Sequence, residues 1–111
     1  MTRIALALLL LATPALAQET KEASCGYQAQ VIRAIQEARM DRVKLRDVMK
    51  VIVASNPPWP ANYSKAIPTY APWVYDQKMR DLRKTDLGTS FEQQCLEQWE
   101  LIQEQQKQLG N

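Results

Sequence analysis

Two cysteines, Cys25 and Cys95, sit near opposite ends of the chain, and whether they pair decides what the residues between them can fold into. The first seventeen residues set the redox conditions. Arg3 gives a basic start, Ile4 to Ala12 form an apolar run, and Thr13 and Pro14 break it. A bilayer-spanning helix takes roughly 20 apolar residues, so this run is too short. Ala15-Leu16-Ala17 offers the small–x–small pattern a signal peptidase accepts. The sequence therefore predicts a cleaved signal peptide over residues 1–17, cut between Ala17 and Gln18, and a periplasmic or secreted product. In such an oxidising compartment, two lone cysteines far apart in sequence are expected to form a disulfide.

Cleavage leaves 94 of 111 residues, enough for a single domain over 18–111. A chain of this length buries only about 60–65% of its extended surface, so a covalent staple matters. The crosslink would close a 71-residue loop. By chain-entropy reasoning that closure contributes up to about 4 kcal/mol. No other apolar stretch approaches membrane-spanning length, so the trimmed chain is not expected to cross a membrane.

Ala, Leu, Gln, Glu, Lys and Arg dominate and glycine is scarce, which favours helix. Helical spacing predicts a first helix from about Glu22 to Met40, with Tyr27, Val31, Ile32, Ala34, Ile35 and Ala38 on its apolar side. A second, shorter one covers Leu45 to Ala54, with Val48, Val51 and Ile52 inward and Met49 beside them. Val51-Ile52-Val53 would also suit a strand, but the chain offers no partner strand. Ser55-Asn56-Pro57-Pro58-Trp59-Pro60 is a break, since prolines remove amide donors and force an extended path. Ala61 to Ala66 suits one helical turn.

A third helix opens with Pro68 or Pro72 in its first turn and runs to about Lys84, with Ala71, Val74, Tyr75, Met79 and Leu82 on one face. After the turn Thr85-Asp86-Leu87-Gly88, Thr89 and Glu92 have capping-box spacing, with Thr89 as N-cap. The fourth helix carries Phe91, Cys95, Trp99 and Ile102 on one stripe. The tail is glutamine-rich and expected to fray from about residue 105. The expectation is an all-α fold: a small four-helix bundle, three helices long and one short, stapled by one disulfide.

Absences narrow the chemistry. The chain has no histidine, so Ser-His-Asp and Cys-His catalysis and imidazole metal ligation are unavailable to it. Paired cysteines supply neither a nucleophile nor a metal site. No haem attachment motif, phosphate-binding glycine loop or calcium loop occurs, so no cofactor or metal is expected and no catalytic residue is assigned. Glu97, Glu100 and Glu104 form the best carboxylate cluster, but they lie off the apolar stripe and read as a solvated face. A carboxylate-dependent hydrolase on Glu97 and Glu100 is the remote alternative.

With Arg3 removed, basic residues outnumber acidic ones by 13 to 12, too even a balance for a nucleic-acid footprint. Residues 33–50 and 65–84 are net basic and 86–107 net acidic, a pattern of internal complementarity. Lys78, Arg80, Arg83 and Lys84 give the third helix a basic end that complements its dipole. The strongest binding signal is residues 59–75, which hold five of the eight aromatics amid prolines. Rigid rings on a stiff segment suit a glycan or extended peptide, and equally suit pinning a connection onto a small core. The candidate binding residues are Trp59, Tyr63, Tyr70, Trp73, Arg80 and Arg83.

The leading Cys25, Ala38-Arg39 closing the first helix, Val43 at the entry to the second, Val74-Tyr75, and the closing Cys95 form a pattern. With Trp59-Pro60 and Arg80 to Lys84, it resembles a loose group of small exported α-helical bacterial proteins of uncharacterised function. The resemblance implies a helical envelope protein and supplies no activity, cofactor or site. Many of that group have Gly at the position of Arg42, where a left-handed helix cap would sit. The function expected is thus non-catalytic binding of an envelope protein, peptide or glycan. The alternative is a disulfide-linked periplasmic stress chaperone that unfolds in acid, with carboxylates of the last helix titrating between about pH 3 and 5.

Overall fold

A computed structural model describes residues 19–109. The expected signal peptide and its cleavage site, and the last two residues, lie outside the described residues. Within them the chain is helical and contains no strand. Five α-helices form: α1 (Lys21–Met40), α2 (Val48–Ala54), α3 (Ile67–Tyr75), α4 (Met79–Leu82) and α5 (Leu87–Leu109). Short 3₁₀ helices at Leu45–Asp47 and Ala61–Ala66 lead into α2 and α3.

α1 is the central element. Thr20 caps it, its hydroxyl accepting from the Ala23 amide at 3.1 Å. Val31, Ile32, Ile35 and Ala38 are buried against Val48 and Ile52 of α2, Trp59, Ile67, Ala71 and Val74 of the middle segment, and Leu82 of α4. α1 ends in a left-handed residue, Arg42, at φ 64°. The Val43 amide donates back to the Ala38 carbonyl (2.9 Å) and the Arg42 amide to Arg39 (3.1 Å), the paired bonds of a Schellman cap. The cap therefore forms with arginine in the glycine position.

α5 runs antiparallel to α1. Gly88 lies against Ala29 and Arg33 at one end, and Cys25 and Cys95 are bonded towards the other, with Cα atoms 5.7 Å apart. The expected crosslink is thus present.

Three expectations are corrected. The third helix is not continuous to Lys84, so there are five α-helices rather than four. The chain leaves α3 at Asp76, turns through an extended Lys78 (ψ 139°) and restarts as α4. The turn returns Leu82 to the core, where it is 3% exposed. It also presents the Leu82 and Thr85 carbonyls to the buried amide of Gln36, each at 2.7 Å. Secondly, the N-terminus of α5 is capped by Asp86 rather than Thr89. The Asp86 carboxylate accepts from the Thr89 amide (3.1 Å) and hydroxyl (2.9 Å), while Glu92 turns towards Arg33 at 3.8 Å. Asp86 wins because starting one turn earlier half-buries Leu87 and lets its amide donate to Gln36 Oε1. Thirdly, Val51 points outward, 45% exposed, while Val48 and Ile52 are buried as expected, since Val51 lies about 100° round the helix from Ile52 and off the face those two share. α5 itself is helical through to Leu109, past the point near 105 where fraying is expected.

Candidate functional site

The aromatic segment divides into rings that hold the fold and one that faces outward. Trp59 is 7% exposed, and its indole N–H donates to the Ser64 hydroxyl at 2.9 Å. A Trp with its polar edge satisfied in a core is a structural anchor. Tyr63 stacks at a tilt on Tyr27, ring centroids 5.2 Å apart, and its hydroxyl bonds the Glu19 carboxylate and the Ser24 hydroxyl. Burial, then the bond to Glu19, pushes its phenol pKa above the usual value.

Tyr70 meets Phe91 edge to face, centroids 5.3 Å apart, and donates to Gln28 Oε1 at 3.3 Å. Burial raises its pKa as well. Tyr75 donates to the Val43 carbonyl at 2.7 Å with the Arg39 guanidinium 5.6 Å over its ring. Burial raises this phenol too, against an opposing pull from the Arg39 charge.

Trp73 differs: it is 44% exposed on α3. It lines a groove of about 420 Å³ between α3 and α5 with Thr69, Tyr70, Leu87, Ser90, Phe91 and Gln94. The floor is apolar and aromatic, and the rim carries neutral hydroxyls and an amide. The helical spacing of Thr69, Tyr70 and Trp73 on one side, and of Leu87, Ser90, Phe91 and Gln94 on the other, puts all seven on facing sides of the two helices. A site of this kind stacks a planar or apolar group and hydrogen-bonds its edges without selecting a charge.

Of the six candidates, the structure brings Tyr70 and Trp73 to this groove. Trp59 and Tyr63 are tied elsewhere, and Arg80 and Arg83 are exposed and do not line it. Arg80 lies 3.9 Å from its neighbour Asp81. Sequence reasoning assigned Phe91 to the core and overlooked Leu87, Thr69, Ser90 and Gln94. Leu87, Ser90, Phe91 and Gln94 carry one signal in the sequence, their i, i+3, i+4, i+7 spacing, and Thr69 carries none. Glu97, Glu100 and Glu104 are exposed along α5. Among the described residues no cluster of acidic or cysteine side chains could hold a metal ion, and no helix is long and apolar enough to cross a membrane. No family model, curated protein or solved structure matches this chain.

Proposed function

We propose that this chain is a non-catalytic binding protein of the bacterial cell envelope, exported and trimmed after Ala17. It holds an extended peptide or glycan in the groove between α3 and α5. The observation that supports this reading most is Trp73: a large ring left 44% exposed on the outer side of α3, beside an apolar floor and an uncharged polar rim. A half-exposed Trp over such a floor has the character of a binding hot spot. The disulfide is compatible with an oxidising compartment.

Calorimetric titration of the oxidised protein with peptidoglycan fragments and with short apolar peptides tests the reading. Binding by one of these, weakened about tenfold or more in Trp73→Ala with the thermal melt unchanged, supports it. No heat with either probe class, or equal affinity in Trp73→Ala, overturns it.

A further inference from the structure

The disulfide places Cys95 beside Cys25, four residues from the start of α1 at Lys21, yet α5 continues fourteen residues beyond Cys95 to Leu109. At 1.5 Å per residue, α5 overshoots the start of α1 by about 15 Å. From Cys95 outward along α5, Cys95, Trp99, Ile102, Gln106 and Leu109 recur at intervals of 4, 3, 4 and 3, the seam of a coiled coil. Cys95 fixes its direction, because that side of α5 faces α1. The seam therefore looks onto the space where α1 would continue if it were longer. Along the seam Trp99 and Ile102 are half-buried and Leu109 is 86% exposed.

Charge along the overhang is sorted by position. Trp99 and Gln106 take the a positions, and Cys95, Ile102 and Leu109 the d positions. The flanking e and g positions beyond Cys95 are then Leu96, Gln98, Gln103 and Gln105, all uncharged. All four charged residues there, Glu97, Glu100, Glu104 and Lys107, occupy b and f positions, pointing away from the seam. An acidic helix that paired with its own copy through charged flanks would repel itself. This one carries no charge where a copy would lie.

We propose that the overhang is a homodimerisation element, in which the α5 ends of two copies pair antiparallel about a two-fold axis. The direction follows from the seam: a helix filling the place of an extended α1 must run as α1 does, opposite to α5. Aligned so, Trp99 of one copy meets Leu109 of the other and Ile102 meets Gln106, and the two-fold repeats both layers. The bodies of the two copies then lie at opposite ends. The overhang is already helical and anchored, so pairing costs less ordering entropy than joining two free peptides. The interface is at the small end of specific contacts, below about 1,200 Å² in total, so a dimer forming in the micromolar range is expected. This inference does not depend on the α3–α5 groove.

Sedimentation of the oxidised, exported protein from about 1 µM to about 500 µM tests it across the range expected for so small a contact. A monomer–dimer equilibrium is expected. Ile102→Glu, which puts a charge in the seam, should leave a monomer at every concentration. Leu101→Glu, one residue along and outside the seam, should dimerise as the parent does. Gln106→Leu should tighten the dimer at least tenfold by removing the polar layer. Circular dichroism of each variant at low concentration separates loss of dimer from loss of fold. A monomer throughout for the parent, equal disruption by Leu101→Glu, or assembly beyond dimer would overturn the proposal.

Discussion

Gly88 of α5 stands against the backbone of Ala29 in α1: a Cβ at residue 88 would lie 2.7 Å from the Ala29 carbonyl oxygen and 2.5 Å from Arg33 Cγ. The arginine stem can move, but a helical carbonyl cannot. Gly88→Ala gains about 1 kcal/mol in helix propensity. Separating α1 from α5 costs more than that, since overpacking of this kind runs to about 1–3 kcal/mol or beyond. We expect a net loss of stability, read as a lower urea midpoint. Gly26→Ala is the control: its Cβ would meet nothing nearer than Glu92 Oε1 at 3.9 Å, so it should be neutral or stabilising.

Removing the crosslink should cost far more. Cys25 and Cys95 close most of the chain into one loop, and Cys25 is wholly buried. The double variant Cys25→Ala, Cys95→Ala should lose up to about 4 kcal/mol by denaturant titration. Reduction of the parent protein should reproduce the shift, because the same loop is opened.

Much of this was legible because its signals are local or covalent. α1 is declared by its apolar stripe, the break at 55–60 by its prolines, and the staple by an isolated pair of cysteines. What escaped reading depends on contacts across the chain. Nothing in Asp76-Gln77-Lys78 marks a break, as it holds neither Gly nor Pro. The break exists because Leu82 and two carbonyls are drawn to α1, and Gln36 lies 46 and 49 residues from its acceptors. Asp86 and Thr89 are both good caps by residue type, and only the packing of Leu87 chooses between them. The site is half visible in the sequence: Trp73 and Tyr70 stand out as aromatics, whereas Phe91 reads as core, because a groove wall and a core face share one periodicity, and Leu87 reads as part of a turn.

The cap at the end of α1 is built at a cost. Arg42 holds φ 64°, where a side chain strains against the following carbonyl and glycine does not. Its own side chain is exposed, so little packing is lost on removing it. Arg42→Gly should raise stability by about 0.5–1 kcal/mol. Arg42→Val should lower it by at least as much, both read from thermal melts.

Gln36 joins three elements through one side chain. Its amide nitrogen donates to the Leu82 and Thr85 carbonyls and its oxygen accepts from the Leu87 amide at 3.1 Å. Gln36→Leu keeps the volume but leaves these backbone groups without their partner. A loss of about 2–4 kcal/mol is expected, since each unsatisfied buried group costs about 1–3 kcal/mol and water reaches part of this site. Hydrogen exchange should show the Leu87 amide, and the first turn of α5 with it, opening earlier than in the parent.

The pH profile should be a plateau with two differently made edges. Partial burial pushes the Asp86 carboxyl up, but the Thr89 amide and hydroxyl and the Arg33 guanidinium, 3.1 Å away, outweigh it and hold the pKa below the ordinary 3.8. A carboxyl with a depressed folded-state pKa contributes stability that is complete above its unfolded value and lost as pH falls through the folded one. Stability should therefore decline below about pH 4, and Asp86→Asn should flatten that decline. On the alkaline side, burial raises the phenols of Tyr63, Tyr70 and Tyr75 above 10.0. A raised folded-state pKa gives stability present below the unfolded value and lost as pH rises through the folded one, so a second decline begins near pH 10. With no histidine in the sequence, the melting temperature should stay level from about pH 5 to about pH 9. Melts in steps across pH 2–11 check all three regions. A slope inside the plateau, or an acid edge unchanged in Asp86→Asn, would show that the groups controlling stability lie elsewhere.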